Sequence, residues 1–136
     1  MNLLKNDFVQ VSECIYMSER LVMKVGDLLL INVYLPCLGT ENRLLICNDI
    51  LSEICSWRKQ YPLYGCIIGG DFNTDLDSCS ASNMINRFLT DNQFLRCLST
   101  DSLPYTFVNE SRNYFSKIDY MVYNNVIVNN FTVLES

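Results

Sequence analysis

Histidine is missing from all 136 residues, and no two of the seven cysteines have the two-residue spacing of a zinc ribbon. Together these absences exclude the common thiolate and imidazole zinc sites. The cysteines stand at 14, 37, 47, 55, 66, 79 and 97, and Cys47, Cys55 and Cys66 fall inside apolar patterns. A free thiol there behaves as a small core residue, so the expectation is reduced cysteines in an intracellular protein rather than a disulfide framework. No apolar stretch approaches the roughly 20 residues that a membrane span requires, and "MNLLKNDFVQ" lacks the long apolar block of a secretory signal. Proline and glycine are scarce, at 3 and 5 residues, and there is no linker, repeat or low-complexity tract. One domain over residues 1–136 is therefore expected. Positive charge is scarce too. Ten basic against 15 acidic residues give −5, which excludes a surface coated in Lys and Arg but leaves room for a local basic patch.

What is present is a globular pattern, 49% apolar, in a chain long enough to bury a core. "RLVMKV" (20–25) and "LLLINVYLP" (28–36) flank Gly26-Asp27, a two-residue connection suited to a hairpin. Alternation along the second segment puts Leu28, Leu30, Asn32 and Tyr34 on one face and Leu29, Ile31, Val33 and Leu35 on the other. With both faces largely apolar, cover on both sides is expected. In "TENRLLICNDILSEICSWRKQYP", Leu44, Cys47, Leu51, Ile54, Cys55 and Arg58 recur at helical spacing, with Thr40 as N-cap and Pro62 as terminator. "YGCIIGG" (64–70) reads as a strand and "SNMINRFLTDNQFLRCL" (82–98) as a second helix through Met84, Ile85, Phe88, Leu89 and Leu95. Three strands are then expected: 105–109, 114–123 and 126–134, the last two joined at Asn124-Asn125. This order indicates a mixed sheet with helices packed on it, an α/β or α+β layered fold.

The chemistry gathers at "CIIGGDFNTDLD" (66–77). If the strand continues through Asp71 and Asn73, their side chains share a face while Phe72 points into the structure. Gly69 and Gly70 let a ligand or another backbone come close. A carboxylate can take a proton from water or hold a cation, and an amide can donate to a developing oxyanion. The plainer alternative is a strand-to-loop turn in which Asp71 and Asn73 bond local backbone. Asn32 and Tyr34 share a face at another strand end. Asp119 lies within an apolar strand, where an unpaired carboxylate carries a heavy desolvation cost and needs a cation, a metal or a donor. Lys117, Lys24 and Arg112 are candidate ion partners.

The segments "INVYLP" (31–36), "IIGGDFNTDL" (67–76) and "YTFVNESRNYFSKIDYMVY" (105–123), in that order, resemble the endonuclease/exonuclease/phosphatase superfamily of DNase I-like phosphodiesterases. The wording is most similar to the endonuclease domain of LINE-type retrotransposon polyproteins. The resemblance implies a four-layer α/β sandwich and Mg²⁺-assisted hydrolysis of a phosphodiester in DNA. It further implies work inside the cell, in the nucleus, within a longer polyprotein that also carries a reverse transcriptase. Carried over by position, Asp71 would activate the attacking water or protonate the leaving oxygen, and Asn73 would bond the scissile phosphate. Tyr34 would donate to a phosphate oxygen, and Asp119 would orient a catalytic histidine. Asn32, Thr106 and Ser116 would line the phosphate-binding face.

Three departures shape the expectation. Asp119 has no histidine to orient within this chain. The family's metal-binding Glu lies on earlier strands, and neither Glu13 nor Glu19 sits in a matching motif, so the metal ligands stay unassigned. The family's closing Ser-Asp-His segment would follow "NNFTVLES" (129–136). The chain thus reads as a partial domain, cut at both ends, with weakened Mg²⁺ binding and hydrolysis impaired or lost. The alternatives are a non-catalytic remnant that binds nucleic acid or a protein, and a superfamily phosphatase or nuclease acting on RNA or small phosphate esters.

Overall fold

The computed structural model of the chain describes residues 11–17, 20–78, 82–97 and 105–128. The strands are β1 (Val11–Met17), β2 (Arg20–Val25), β3 (Leu28–Tyr34), β4 (Gly65–Asp71), β5 (Leu95–Arg96), β6 (Phe107–Asn109), β7 (Tyr114–Ser116) and β8 (Asp119–Asn124). The helices are α1 (Arg43–Gln60) and α2 (Asn83–Asp91). Six strands form one sheet in the order β1-β2-β3-β4-β8-β5, and β6 pairs with β7 in a separate two-stranded ribbon. β3 and β4 are parallel, joined through α1, and the remaining pairs are antiparallel. The expected hairpin at Gly26-Asp27 is present, with Gly26 at φ 58, where a side chain is disfavoured.

Both helices cover the same face of the sheet. Cys47, Ile50, Leu51 and Ile54 of α1 and Ile85 and Leu89 of α2 join Leu29, Ile31, Val33, Cys66, Ile68, Tyr120 and Val122 in one core. The two-sided cover expected for β3 is corrected: on its other face Leu28 and Leu30 are half-buried while Asn32 and Tyr34 are exposed. Of the layers implied by the resemblance, the described residues form one mixed sheet, one helical layer and the β6–β7 ribbon.

Several element ends differ from the sequence expectation, each for a local reason. Thr40 is not the N-cap of α1; Asn42 holds that place in a left-handed conformation, without a side-chain cap bond. Leu44, expected on the buried stripe, is 62% exposed, and Ile50 takes its share of the core. The second helix stops at Asp91 rather than running to 98. Gln93 turns left-handed at φ 58, Phe94 N–H donates to Leu89 O (2.8 Å) and Gln93 N–H to Thr90 O (3.1 Å). This is a Schellman ending, with Phe94 stacked on Phe88 at 5.8 Å between ring centroids. Leu95 consequently belongs to β5 and is 60% exposed. The long strand expected at 114–123 breaks at Lys117-Ile118 into β7 and β8. The strand expected at 126–134 is absent from residues 126–128, and the rest of it lies outside the described residues, as do Cys79 and Glu19. Cys37, Cys47, Cys55, Cys66 and Cys97 are free thiols. Among the described residues no helix is long and apolar enough to cross a membrane.

Candidate functional site

Three strand ends meet on the sheet face away from the helices. Parallel pairing sets Tyr34 beside Asp71, and antiparallel pairing sets Asp71 beside Asp119. Tyr34, Asp71 and Asp119 therefore form one row across β3, β4 and β8, with neighbours about 5 Å apart along the hydrogen-bonding direction. Asn32, Gly69 and Met121 form the row behind. Gly70 allows this closeness. It sits at φ +135, and a Cβ there would meet Val33 O at 2.1 Å and Asn32 Oδ1 at 3.0 Å.

The strand does not continue through Asn73 as expected. It ends at Asp71, Phe72 turns inward to 3% exposure, and Asn73 takes φ 46. Asn73 N–H then donates to Asp71 Oδ1 (2.7 Å), and Asn73 Nδ2 donates to Leu35 O (2.6 Å). The local-turn alternative thus describes the backbone correctly, and the same turn fixes the carboxamide against the β3 end. One Nδ2 hydrogen is spent on Leu35; the amide's chemistry leaves a second donor and the Oδ1 acceptor for a ligand.

Asp119 corrects another expectation. It is exposed at the start of β8 rather than buried in an apolar strand, so it carries no large desolvation cost. Among the described residues it forms no ion pair. The Lys117 ammonium lies over the Tyr120 ring at 5.6 Å, Lys24 lies over Tyr61 at 4.3 Å, and Arg112 is exposed in the turn between β6 and β7. Asp119 does affect its neighbour. Burial pushes the Asp71 carboxyl up from its ordinary value, the nearby Asp119 charge adds to this, and the Asn73 N–H bond opposes it.

Thr106 and Ser116 lie at the foot of the β6–β7 ribbon. The Thr106 hydroxyl accepts from Ile118 N–H (3.0 Å) and Asp119 N–H (3.1 Å), while Thr106 N–H donates to Ser116 O (3.0 Å). Ser116 is buried. These contacts hold the start of β8, and with it Asp119, in register.

Sequence reasoning missed the residues beneath the row. Thr74 is 1% exposed and accepts from Arg43 Nη2; Arg43 Nε also donates to Pro36 O (2.9 Å). The Tyr120 hydroxyl donates to Lys117 O (2.9 Å) and accepts from Leu76 N–H (2.9 Å). One signal was available for Arg43, a cation at the positive end of a helix, where local electrostatics disfavours it.

This arrangement of strands and helices is a DNase I-like fold. No protein-family model and no curated protein sequence matches the chain. Ninety-five solved chains are similar to it, and two of them illustrate the likeness. One is the 3′ phosphatase NExo from Neisseria bound to product DNA hairpin, at TM-score 0.58 and 16% identity over 79% of this chain. The other is the endonuclease domain of TRAS1, a telomere-specific non-LTR retrotransposon, at TM-score 0.56 and 15% identity over 78% of this chain. The chain spans about half the length of these structures, 52% and 49% respectively.

Proposed function

We propose that the row Tyr34–Asp71–Asp119, closed by Asn73, is a Mg²⁺-dependent phosphodiester-hydrolysing site whose substrate is DNA. The observation that carries this reading is the register. Two separate strand pairings bring a phenol and two carboxylates side by side, and a left-handed turn points an amide at the same strand ends, in a fold similar to those of a 3′ phosphatase and a retrotransposon endonuclease domain.

Two carboxylates are a sparse donor set for Mg²⁺, since no group of three or more acidic or thiol side chains gathers among the described residues. The ion is commonly held by one or two carboxylates, waters and substrate phosphate, and Asp71 and Asp119 supply two carboxylates on adjacent strands. Bound there, the metal would neutralise phosphate charge and polarise a phosphate oxygen. The chain's own residues do the rest. Tyr34, 54% exposed, offers its hydroxyl as a donor to a non-bridging oxygen. Asn73 offers its remaining Nδ2 hydrogen to charge that builds up in the transition state, and its bond to Leu35 means little reorganisation is needed. Asp71, at the centre of the row, would take the proton of an attacking water. Without an imidazole in the chain, protonation of the leaving oxygen falls to water, and turnover is slow.

A panel of supercoiled plasmid, single-stranded RNA and p-nitrophenyl phosphate, each with Mg²⁺ or EDTA, tests the substrate class. The expected product is nicked plasmid in Mg²⁺ alone. Cleavage of RNA or the small ester in preference to DNA contradicts the assignment. The histidine-free composition favours a second reading, a non-catalytic module that holds nucleic acid on the same face. That reading gives DNA binding that needs Asp71 and Asn73 with no product.

A further inference from the structure

The geometry points to Arg43 as the positioning residue of the Asp71–Asn73 turn: a guanidinium that locks the loop after β3 to the loop after β4 and so aims the Asn73 carboxamide. This rests on the phosphodiester reading of the site.

Two connections stitch the same pair of loops. Asn73 Nδ2 reaches Leu35 O at 2.6 Å, and one residue further along each loop Arg43 bridges Pro36 O, at 2.9 Å from Nε, to the Thr74 hydroxyl through Nη2. Leu35 N–H also donates to Asp71 O at 2.9 Å. Removing the guanidinium leaves Thr74, 1% exposed, and the Pro36 carbonyl without this donor. Only a planar fork spans both acceptors at once, which a lysine ammonium cannot do.

A second feature supports the assignment. Arg43 is the first residue of α1, which has no acidic residue in its first turn and no side-chain cap bond from Asn42. A cation there opposes the helix dipole, so the helix start is poorly arranged for the helix itself. The same position is well arranged for the loops. Arg43 reaches a partner 31 residues ahead in the chain, at Thr74.

The test uses the full ¹⁵N-labelled chain. In Arg43→Ala, exchange of the Asn73 backbone amide and carboxamide is expected to rise by about tenfold or more, with the β3 and β4 core amides unchanged. Thr74→Val, which removes the acceptor while keeping the shape, should reproduce the effect, and the double variant should exchange no faster than the larger single effect. Arg43→Lys should fall between wild type and Arg43→Ala. If Arg43→Ala fails to fold, Thr74→Val alone decides. Unchanged Asn73 exchange in Thr74→Val, or effects that simply add, overturns the inference. In plasmid nicking, Arg43→Ala should lower kcat by about 100-fold with KM little changed, the signature of a misplaced group; a change confined to KM overturns it. Absence of nicking by the wild type counts against the phosphodiester reading, and the exchange results then judge Arg43 by themselves.

Discussion

At the scale of single residues, position turns ordinary side chains into a candidate site. Asp71 and Asp119 are unremarkable acids in the sequence; their register makes each the other's neighbour. That pairing has a pH consequence with a definite sign. Because burial and Asp119 raise the folded-state pKa of Asp71, the native chain binds more protons than the unfolded one between the ordinary carboxylate range and the raised value. Asp71 thus favours the fold at low pH, and its contribution is lost as pH rises through that window. In metal-free protein, Asp71→Asn should raise the urea midpoint at pH 7 and remove the part of its pH dependence that Asp71 contributes above the ordinary carboxylate range. A variant less stable than wild type at pH 7 contradicts the assigned causes. Gly70→Ala should cost more than about 2 kcal/mol, since a left-handed strain and a backbone clash combine there; chemical denaturation measures it.

At the scale of elements, the sequence spoke clearly where apolar spacing set the structure and poorly where a left-handed residue did. The hairpin, α1 and β4 were legible because Leu29, Ile31, Val33, Cys47, Ile54 and Ile68 keep the period their elements demand. The end of α2 was not. Its Schellman turn places Gln93 where glycine is the usual signal, so the pattern ran on to Leu95 unchecked. Asn takes up left-handed backbone in the same way at Asn42, Asn73, Asn113 and Asn125. Asn tolerates the left-handed region better than most residues and marks it less plainly than Gly does. Gln93→Gly is accordingly expected to stabilise the chain by about 0.5–1 kcal/mol, the relief of a left-handed side chain less the entropy of glycine. A loss of stability on thermal melting would mean that the Gln93 side chain makes a compensating contact. The candidate site was half legible. Asp71, Asn73 and Tyr34 announced themselves at strand ends; Arg43, Thr74 and Tyr120 support them through contacts of 31 and 44 residues' separation, which spacing cannot reveal.

At the scale of the molecule, the described residues form one helical layer on one six-stranded mixed sheet, with the β6–β7 ribbon beside it. The core runs from α1 and α2 to β3, β4 and β8, the same strands whose ends bear the candidate site. Damage to that core should therefore reach the site. Ile54→Ala, at a position 1% exposed, should cost about 2–5 kcal/mol. The scarcity of basic charge also bears on function at this scale. With a formal charge of −5, binding to a polyanion must rest on a metal and on local donors rather than on a general positive field, so EDTA should weaken DNA binding more than moderate salt does.

The measurement that bears most directly on the whole account is nicking of supercoiled plasmid by the purified chain, its fold checked by circular dichroism, beside Asp71→Ala and Asn73→Ala. The account predicts slow nicking that requires Mg²⁺ and disappears in both variants. No nicking from a folded chain, or nicking that survives loss of Asp71, would contradict it.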